Sequence, residues 1–424
     1  MLAICGGTPT RDAKKKPWPT WPVWGERERR EVLGVLESGT WSYNGPRESA
    51  FNHAWQAYTG SRYSCLVANG TVAIQLALEA LDIGYGDEVI VPGLTWQATA
   101  AAVIDVNAVP ILVDVDRDSW CISPAAVEAA ITERTRAIIP VHLYGSMADM
   151  DAIMAIADRH DLFVIEDSAH KHGAVWDGKH AGTIGHIGCF SLQLSKGLTA
   201  GEGGIVNTND RELWRRLDAL RNCGRVPQAE DESVNKGSGF YQDEGHFVQS
   251  GNFRATEFQA AVLLGALERL PEQNKRRDEN ALFLGQELEK IPGIEPVRRD
   301  RREEAEAYFN FAFSYDQDVF GGLPVGEFRE ALSRELGLVV ASCYEPLNDC
   351  ALYQPHTKKR HHLNEEYWSA IDPTRFTLPV CESLYRDHAV TFHHSVLLGS
   401  RSDMSDIVEA VNKIHRHQGE LKDY

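Results

Sequence analysis

From Tyr63 to Asp167 the sequence alternates short apolar runs with helical patterns, and this alternation constrains the fold more than any other feature of the chain. Cys65-Leu66-Val67 precedes a helical pattern that reaches Leu81. Glu88 to Val91 reads as a strand and Thr95 to Val106 as a helix. Ile111 to Val115 and Pro124 to Ile131 repeat the pair, as do Ala137 to Val141 and Met147 to Arg159. Strand then helix, repeated, makes a parallel sheet with helices on both faces. With 424 residues, 43% of them hydrophobic, the chain can bury a large core. The expected fold class is α/β: a mostly parallel central sheet covered by helices, with a smaller α+β C-terminal domain. The expected divisions are an N-terminal arm over 1–24, a large domain over 25–270 and a small domain over 271–424.

The arm is rich in Pro, Trp and Lys from residue 9 to residue 24, which forbids a regular helix. It reads as a strap over its own surface or over a partner subunit. Residues 25 to 38 read as a helix, and SGTWSYNGPR after them as a turn-rich loop. The polar, Gly-rich residues 226 to 250 read as a mobile or subunit-contacting loop. Two helices are expected next, one from Thr256 stopped at Pro271 and one from Arg276 stopped at Pro292.

A net charge of -18 argues against nucleic acid or an anionic membrane as partner. No run approaches a transmembrane span, and MLAICGG is too short for a signal peptide's apolar core. The eight cysteines include no C-x-x-C pair and read as reduced thiols, so a cytoplasmic location is expected. Sixteen histidines include neither H-E-x-x-H nor a Cys/His cluster, so no metal is expected. G-x-G-x-x-G and the P-loop motif are absent, which leaves dinucleotides and nucleoside triphosphates without their usual loops.

The chemistry concentrates between Val164 and Gly204. The run Phe163-Val164-Ile165 ends in Glu166-Asp167, which places Asp167 at a strand's carboxyl end, where open α/β sheets hold ligands. A second strand-like run, Ile187 to Ser191, is followed by Lys196 among Gly197, Gly201, Gly203 and Gly204. Pyridoxal phosphate (PLP) needs such a lysine for its Schiff base and such a carboxylate for its pyridinium nitrogen. It also needs an anion hole and a ring to stack on. Asn69-Gly70-Thr71 opens a helix after a strand, which suits a phosphate or an ordinary helix cap. Trp96 follows a strand end and could stack on a pyridine ring or fill the core. Ser191 could give its hydroxyl to the phosphate or be a small strand residue.

The segments VANGTVAIQLAL, EVIVPGLTW, IIPVHLYG, IEDSAHKHGA, FSLQLSKGLTAGEGG and SGNFRATEFQAA, in this order, resemble the DegT/DnrJ/EryC1/StrS family of PLP-dependent aminotransferases. The match runs from about residue 18 to residue 415. The resemblance implies a fold-type I enzyme with Lys196 as the Schiff-base lysine, Asp167 as the pyridinium partner and Trp96 on the ring. Gly70, Thr71 and Ser191 would hold the phosphate, with His170 near the ring oxygen. It also implies that Asn252 reaches the phosphate of the neighbouring subunit, hence a homodimer with shared active sites. PHTKKRH and FHHSVLL are similar to the family's carbocyclic branch, which includes glutamine-dependent inosose aminotransferases and 3-amino-5-hydroxybenzoate synthases. Ser168-Ala169-His170-Lys171-His172 departs from the Cys-Ala-Gln commoner in the inosose enzymes and is closer to the synthases.

The expected activity is therefore transfer of an amino group from L-glutamine or L-glutamate to a keto-cyclitol in aminoglycoside-type biosynthesis. A synthase-like or keto-sugar reaction is the alternative. Tyr43, Tyr308, His393 and His394 are candidate substrate contacts. A catalytically silent PLP-binding subunit would have no need of the intact Lys196 and Asp167.

Overall fold

The computed structural model describes residues 1–42, 45–225 and 248–421. Tyr43 and most of the 226–250 loop lie outside the described residues. Seven strands form the central sheet: β1 (Tyr63–Val67), β2 (Glu88–Pro92), β3 (Val109–Val113), β4 (Thr135–Ile138), β5 (Phe163–Asp167), β8 (Ile187–Ser191) and β9 (Gly204–Thr208). Their order is β1-β9-β8-β5-β4-β2-β3. Pairings from β3 through β8 are parallel, whereas β9 runs antiparallel to both β1 and β8. The one reversed strand follows from the tight loop 192–203, which returns the chain without a crossover helix. The small strands β6 (Val175–Trp176) and β7 (Lys179–His180) form a hairpin beside it.

Helices α3 (Gly70–Ala80), α4 (Ala98–Asp105), α5 (Pro124–Ala130) and α6 (Met150–His160) follow their strands as the alternation requires, and α7 (Arg211–Arg221) follows β9. Asn69, Ser123, Asp149 and Asp210 cap α3, α5, α6 and α7 with side-chain oxygens that accept backbone N–H bonds. Before the sheet come α1 (Glu26–Ser38) and α2 (Pro46–Thr59). The second of these was not legible in the sequence; its Phe51 and Trp55 are buried against Phe190 and Ile205 of the sheet.

Helix α8 (Glu257–Leu288) corrects the expectation of two helices: it passes through Pro271 without stopping. Proline removes one helical N–H bond, but both flanks are buried. Leu263, Leu267 and Leu270 pack in one core cluster, Ala281, Leu284 and Leu288 in another. The expected domain boundary at residue 271 thus falls inside a continuous helix.

The second cluster lies under β10 (Ile294–Pro296), β12 (Asn310–Tyr315), α9 (Val325–Leu336) and β13 (Ala389–His393). β11 (Glu303–Ala305) instead pairs with β6. The stretch holding α10 (Glu365–Ala370) and α11 (Pro379–Ser383) returns to the large sheet. There Leu347 N donates to Gly93 O at 2.8 Å and Tyr367 Oη to Ala108 O at 3.2 Å, while Val380 N and Cys381 N donate to the Asp114 carboxylate. The last helix, α12 (Arg401–His417), carries Asp403 and Asp406, which pair with Arg11 of the N-terminal arm. The arm lies over its own chain.

Candidate active site

The carboxyl ends of the parallel strands open into a cleft of ≈ 670 Å³. Its walls include Asn69, Gly70, Thr71, Trp96, Asp167, His170, Ser191 and Lys196. Strand alternation decides which of two adjacent acids faces it. Glu166 points away and is consumed structurally: its carboxylate accepts bonds from the N–H groups of Gly182, Ile184 and Gly185 and lies 3.1 Å from His142 Nε2. Asp167 faces the cleft and accepts from Thr99 Oγ1 at 2.8 Å and from Ala169 N at 3.2 Å. Burial pushes its carboxyl above the usual range, and the Thr99 bond only partly offsets that. A buried carboxylate in this condition calls for a cationic partner.

The two lysines of the region also separate. Lys171 is buried, with Nζ bonded to the Glu306 carboxylate and to Ala307 O, and serves packing. Lys196 is only 8% exposed and faces the cleft. Burial lowers its amine to about 8, against the opposing pull of Asp167. Its loop is tightly held: Lys196 N donates to Gln193 O, and Thr199 Oγ1 and Ala200 N to Leu192 O.

The N-terminus of α3 meets β8 across Gly70. A Cβ at Gly70 would stand 2.7 Å from the Ser191 Cβ, so only glycine allows the approach. Asn69 Oδ1 takes the Val72 N–H, while the N–H groups of Gly70 and Thr71, in the first turn of the helix, have no intrahelical acceptor. Beside them stands the Ser191 hydroxyl. This is a cradle for an anion at a helix N-terminus.

His170 is buried and held far below its ordinary pKa by desolvation, hence neutral. Its Nδ1 accepts from Tyr144 N at 3.2 Å, which places the ring proton on Nε2, 3.3 Å from Tyr344 Oη. Its ring stacks on Phe309, centroids 4.0 Å apart and planes at 12°. Trp96, 46% exposed, stands across from Tyr344 at 5.7 Å.

A buried carboxylate whose hydrogen bonds come from Thr99 and Ala169, a lysine with a lowered pKa, an anion cradle closed by Gly70 and an indole at the mouth fit PLP. Asp167 would hold its ring nitrogen, Lys196 its aldehyde carbon, and Gly70, Thr71 and Ser191 its phosphate.

Other candidates lie elsewhere. Asn252 is exposed and outside the walls of its own chain's cleft. Tyr308 is buried in the second core cluster with its hydroxyl toward Asp278, so the sequence expectation of a substrate contact is corrected. Its neighbour Phe309 lines the cleft instead. His393 and His394 are likewise corrected: both Nε2 atoms bond Ser195 O at 3.0 Å, behind the lysine loop. Thr99, Phe309 and Tyr344 were missed. Only Thr99, one turn after Thr95 in the segment that follows β2, carried a local signal.

A model of the DegT/DnrJ/EryC1/StrS aminotransferase family matches residues 22–396. The chain is 44% identical to the L-glutamine:2-deoxy-scyllo-inosose aminotransferase of Streptoalloteichus tenebrarius, with 99% of each covered. It is 41% identical to the L-glutamine:scyllo-inosose aminotransferase of Streptomyces griseus, with 97% of each covered. The crystal structure of 3-amino-5-hydroxybenzoic acid synthase matches with a TM-score of 0.78 at 30% identity, over 94% of this chain and 99% of that one.

Proposed function

Because the chain belongs to the DegT/DnrJ/EryC1/StrS aminotransferase family of PLP-dependent transaminases, we propose that it moves an amino group from L-glutamine to a scyllo-inosose-like ketone in aminocyclitol biosynthesis. L-Glutamate is the alternative donor. Relatives that match nearly end to end and are named for glutamine and inososes support the substrate pair.

The observation that carries the reading is the charge of the cleft wall. Among the described residues that line it, Lys196 is the single cation, accompanied by Asp105, Asp167 and Glu202. A nucleotide diphosphate is recognised by cations and charge-assisted forks. A neutral polyol needs only hydrogen-bonding side chains, which Asn69, Gln75, Gln193 and Glu202 supply.

When bound, PLP supplies an electron sink that accepts the pair left behind by a departing proton. Asp167, fixed by Thr99 and Ala169, would hold the ring nitrogen in its protonated form. Lys196 Nζ takes the proton from the donor's Cα and in the second half-reaction returns a proton to the acceptor's carbon. A pKa near the working pH suits both tasks. Gly70, Thr71 and Ser191 would hold the phosphate end, an anchor that orients the group for the lysine's proton transfers.

We also read the protein as a homodimer with shared sites. Asn252 is exposed away from its own cleft, and Trp24, Leu33, Leu36 and Trp41 expose apolar surface on and beside α1.

The test is a panel of keto-cyclitols and nucleotide keto-sugars, with glutamine and glutamate as donors. Turnover of an inosose with glutamine is expected. Turnover of nucleotide sugars alone would overturn the substrate assignment and leave the transaminase intact.

A further inference from the structure

Phe309 occupies a position at the lysine that neither the reaction nor the family match assigns. The Lys196 ammonium nitrogen lies 4.1 Å from the centre of its ring, while the neutral imidazole of His170 is stacked on the same ring. The ring thus has an imidazole stacked on it and a cation over it. Its backbone is fixed at both ends: Phe309 N donates to Tyr144 O at 3.2 Å, and Phe309 O accepts from His394 N at 3.1 Å. The same His394, through Nε2, bonds the carbonyl of Ser195, the residue before the lysine. His393 bonds that carbonyl too, and because its Nδ1 accepts from Ser395 N, its proton is on Nε2 and it donates. Aromatic ring and lysine are therefore suspended from one histidine pair.

We propose that Phe309 is a positioning residue for Lys196: its ring face receives the ammonium that Nζ becomes on taking up a proton, at the cleft wall, in register set by His393 and His394. This rests on the reading of Lys196 as the reacting lysine.

The other groups bearing on the amine come from every side. Asp167 on β5 favours the charged form. His170 and His172 follow β5, His393 ends β13 and His394 follows it; desolvation holds all four below the ordinary histidine value, so they add no positive charge. Arg277 on α8 lies over the Trp21 ring and donates from Nη1 to Asn274 Oδ1. Burial pulls the lysine down and Asp167 pulls it back up; under the proposal, the aromatic face adds to that upward pull. An ammonium–ring contact contributes about 0.4 to 1.5 pH units on a midpoint.

The experiment uses the full-length chain freed of cofactor. The rate at which acetic anhydride acylates Lys196 is followed against pH by peptide mass spectrometry. At position 309 the ring is varied from phenylalanine through mono-, di- and trifluorophenylalanine, which withdraws charge from the ring face at nearly constant shape. Phe309→Leu completes the series. The midpoint should fall stepwise with fluorination and fall furthest in the leucine variant. Phe309→Tyr should restore the wild-type value. An unchanged or rising midpoint along the fluorinated series would overturn the proposal, even if the leucine variant fails to fold. A separate arm adds PLP before labelling. Failure to protect Lys196 there would overturn the lysine's role and not that of the ring.

Discussion

Glu166 and Asp167 are neighbours of like charge with opposite duties, and the difference lies in which side of a strand each occupies. Three backbone N–H groups and a histidine saturate Glu166, whereas Asp167 keeps capacity for a cation. Asp167→Asn preserves shape and removes the charge that holds a ring nitrogen protonated. We expect a rate loss of at least ~100-fold, with an unaltered melting temperature in the cofactor-free chain. Glu166→Gln should do the reverse: an amide NH2 would face backbone donors, and stability should drop by about 1–3 kcal/mol, read as a lower denaturant midpoint. Similar losses of activity with no difference in stability would refute the division. Asp167 and Lys196 were legible because each stands beside an apolar run with a clear end. Phe309 was not, since it reaches the cleft from more than a hundred residues away. Tyr308 beside it was named instead, and nothing local says which of two consecutive aromatics faces inward.

Among the elements, α3 has its N-terminus set against β8 by a single missing methyl. Gly70→Ala would force apart backbone and Ser191 that stand at van der Waals limits. Overpacking of this kind costs about 1–3 kcal/mol, and here it falls on the cradle. Cofactor affinity should drop roughly 10-fold or more, measured by release of visible absorbance on dilution. Unchanged affinity would show that the phosphate sits elsewhere. The βα alternation that built this junction was readable because its strands are apolar on both faces. The reading of α8 as two helices was wrong because a proline's local cost was weighed without the burial on both flanks that outweighs it. Helix α2 escaped notice because its apolar residues, Phe51 and Trp55, are few and its hydrophobic stripe is weak.

The whole molecule, read as a dimer with shared sites, makes a sharp claim about subunits. If Asn252 serves its partner's phosphate, no monomer holds a complete site, and PLP should stabilise the dimer by linkage. Mixing an inactive Lys196→Ala subunit with an inactive Asn252→Ala subunit should restore activity. Each heterodimer then has one site with both lesions and one with neither, giving up to about half the activity of a wild-type dimer. No recovery despite demonstrated subunit exchange would place Asn252 in its own chain's site.

The return of the C-terminal segment to the large sheet, through Leu347 on Gly93, Tyr367 on Ala108 and the Asp114 carboxylate on the start of α11, bears on how such enzymes can be recombined. The cleft takes Trp96 and Thr99 from before α8, Phe309 and Tyr344 from after it. A chimera of two relatives joined near residue 271 would therefore take Phe309 and Tyr344 from one parent and the rest of the cleft wall from the other. Its viability would depend on parents that agree along this buried seam, so new specificities made by crossover should survive only between lineages already matched there.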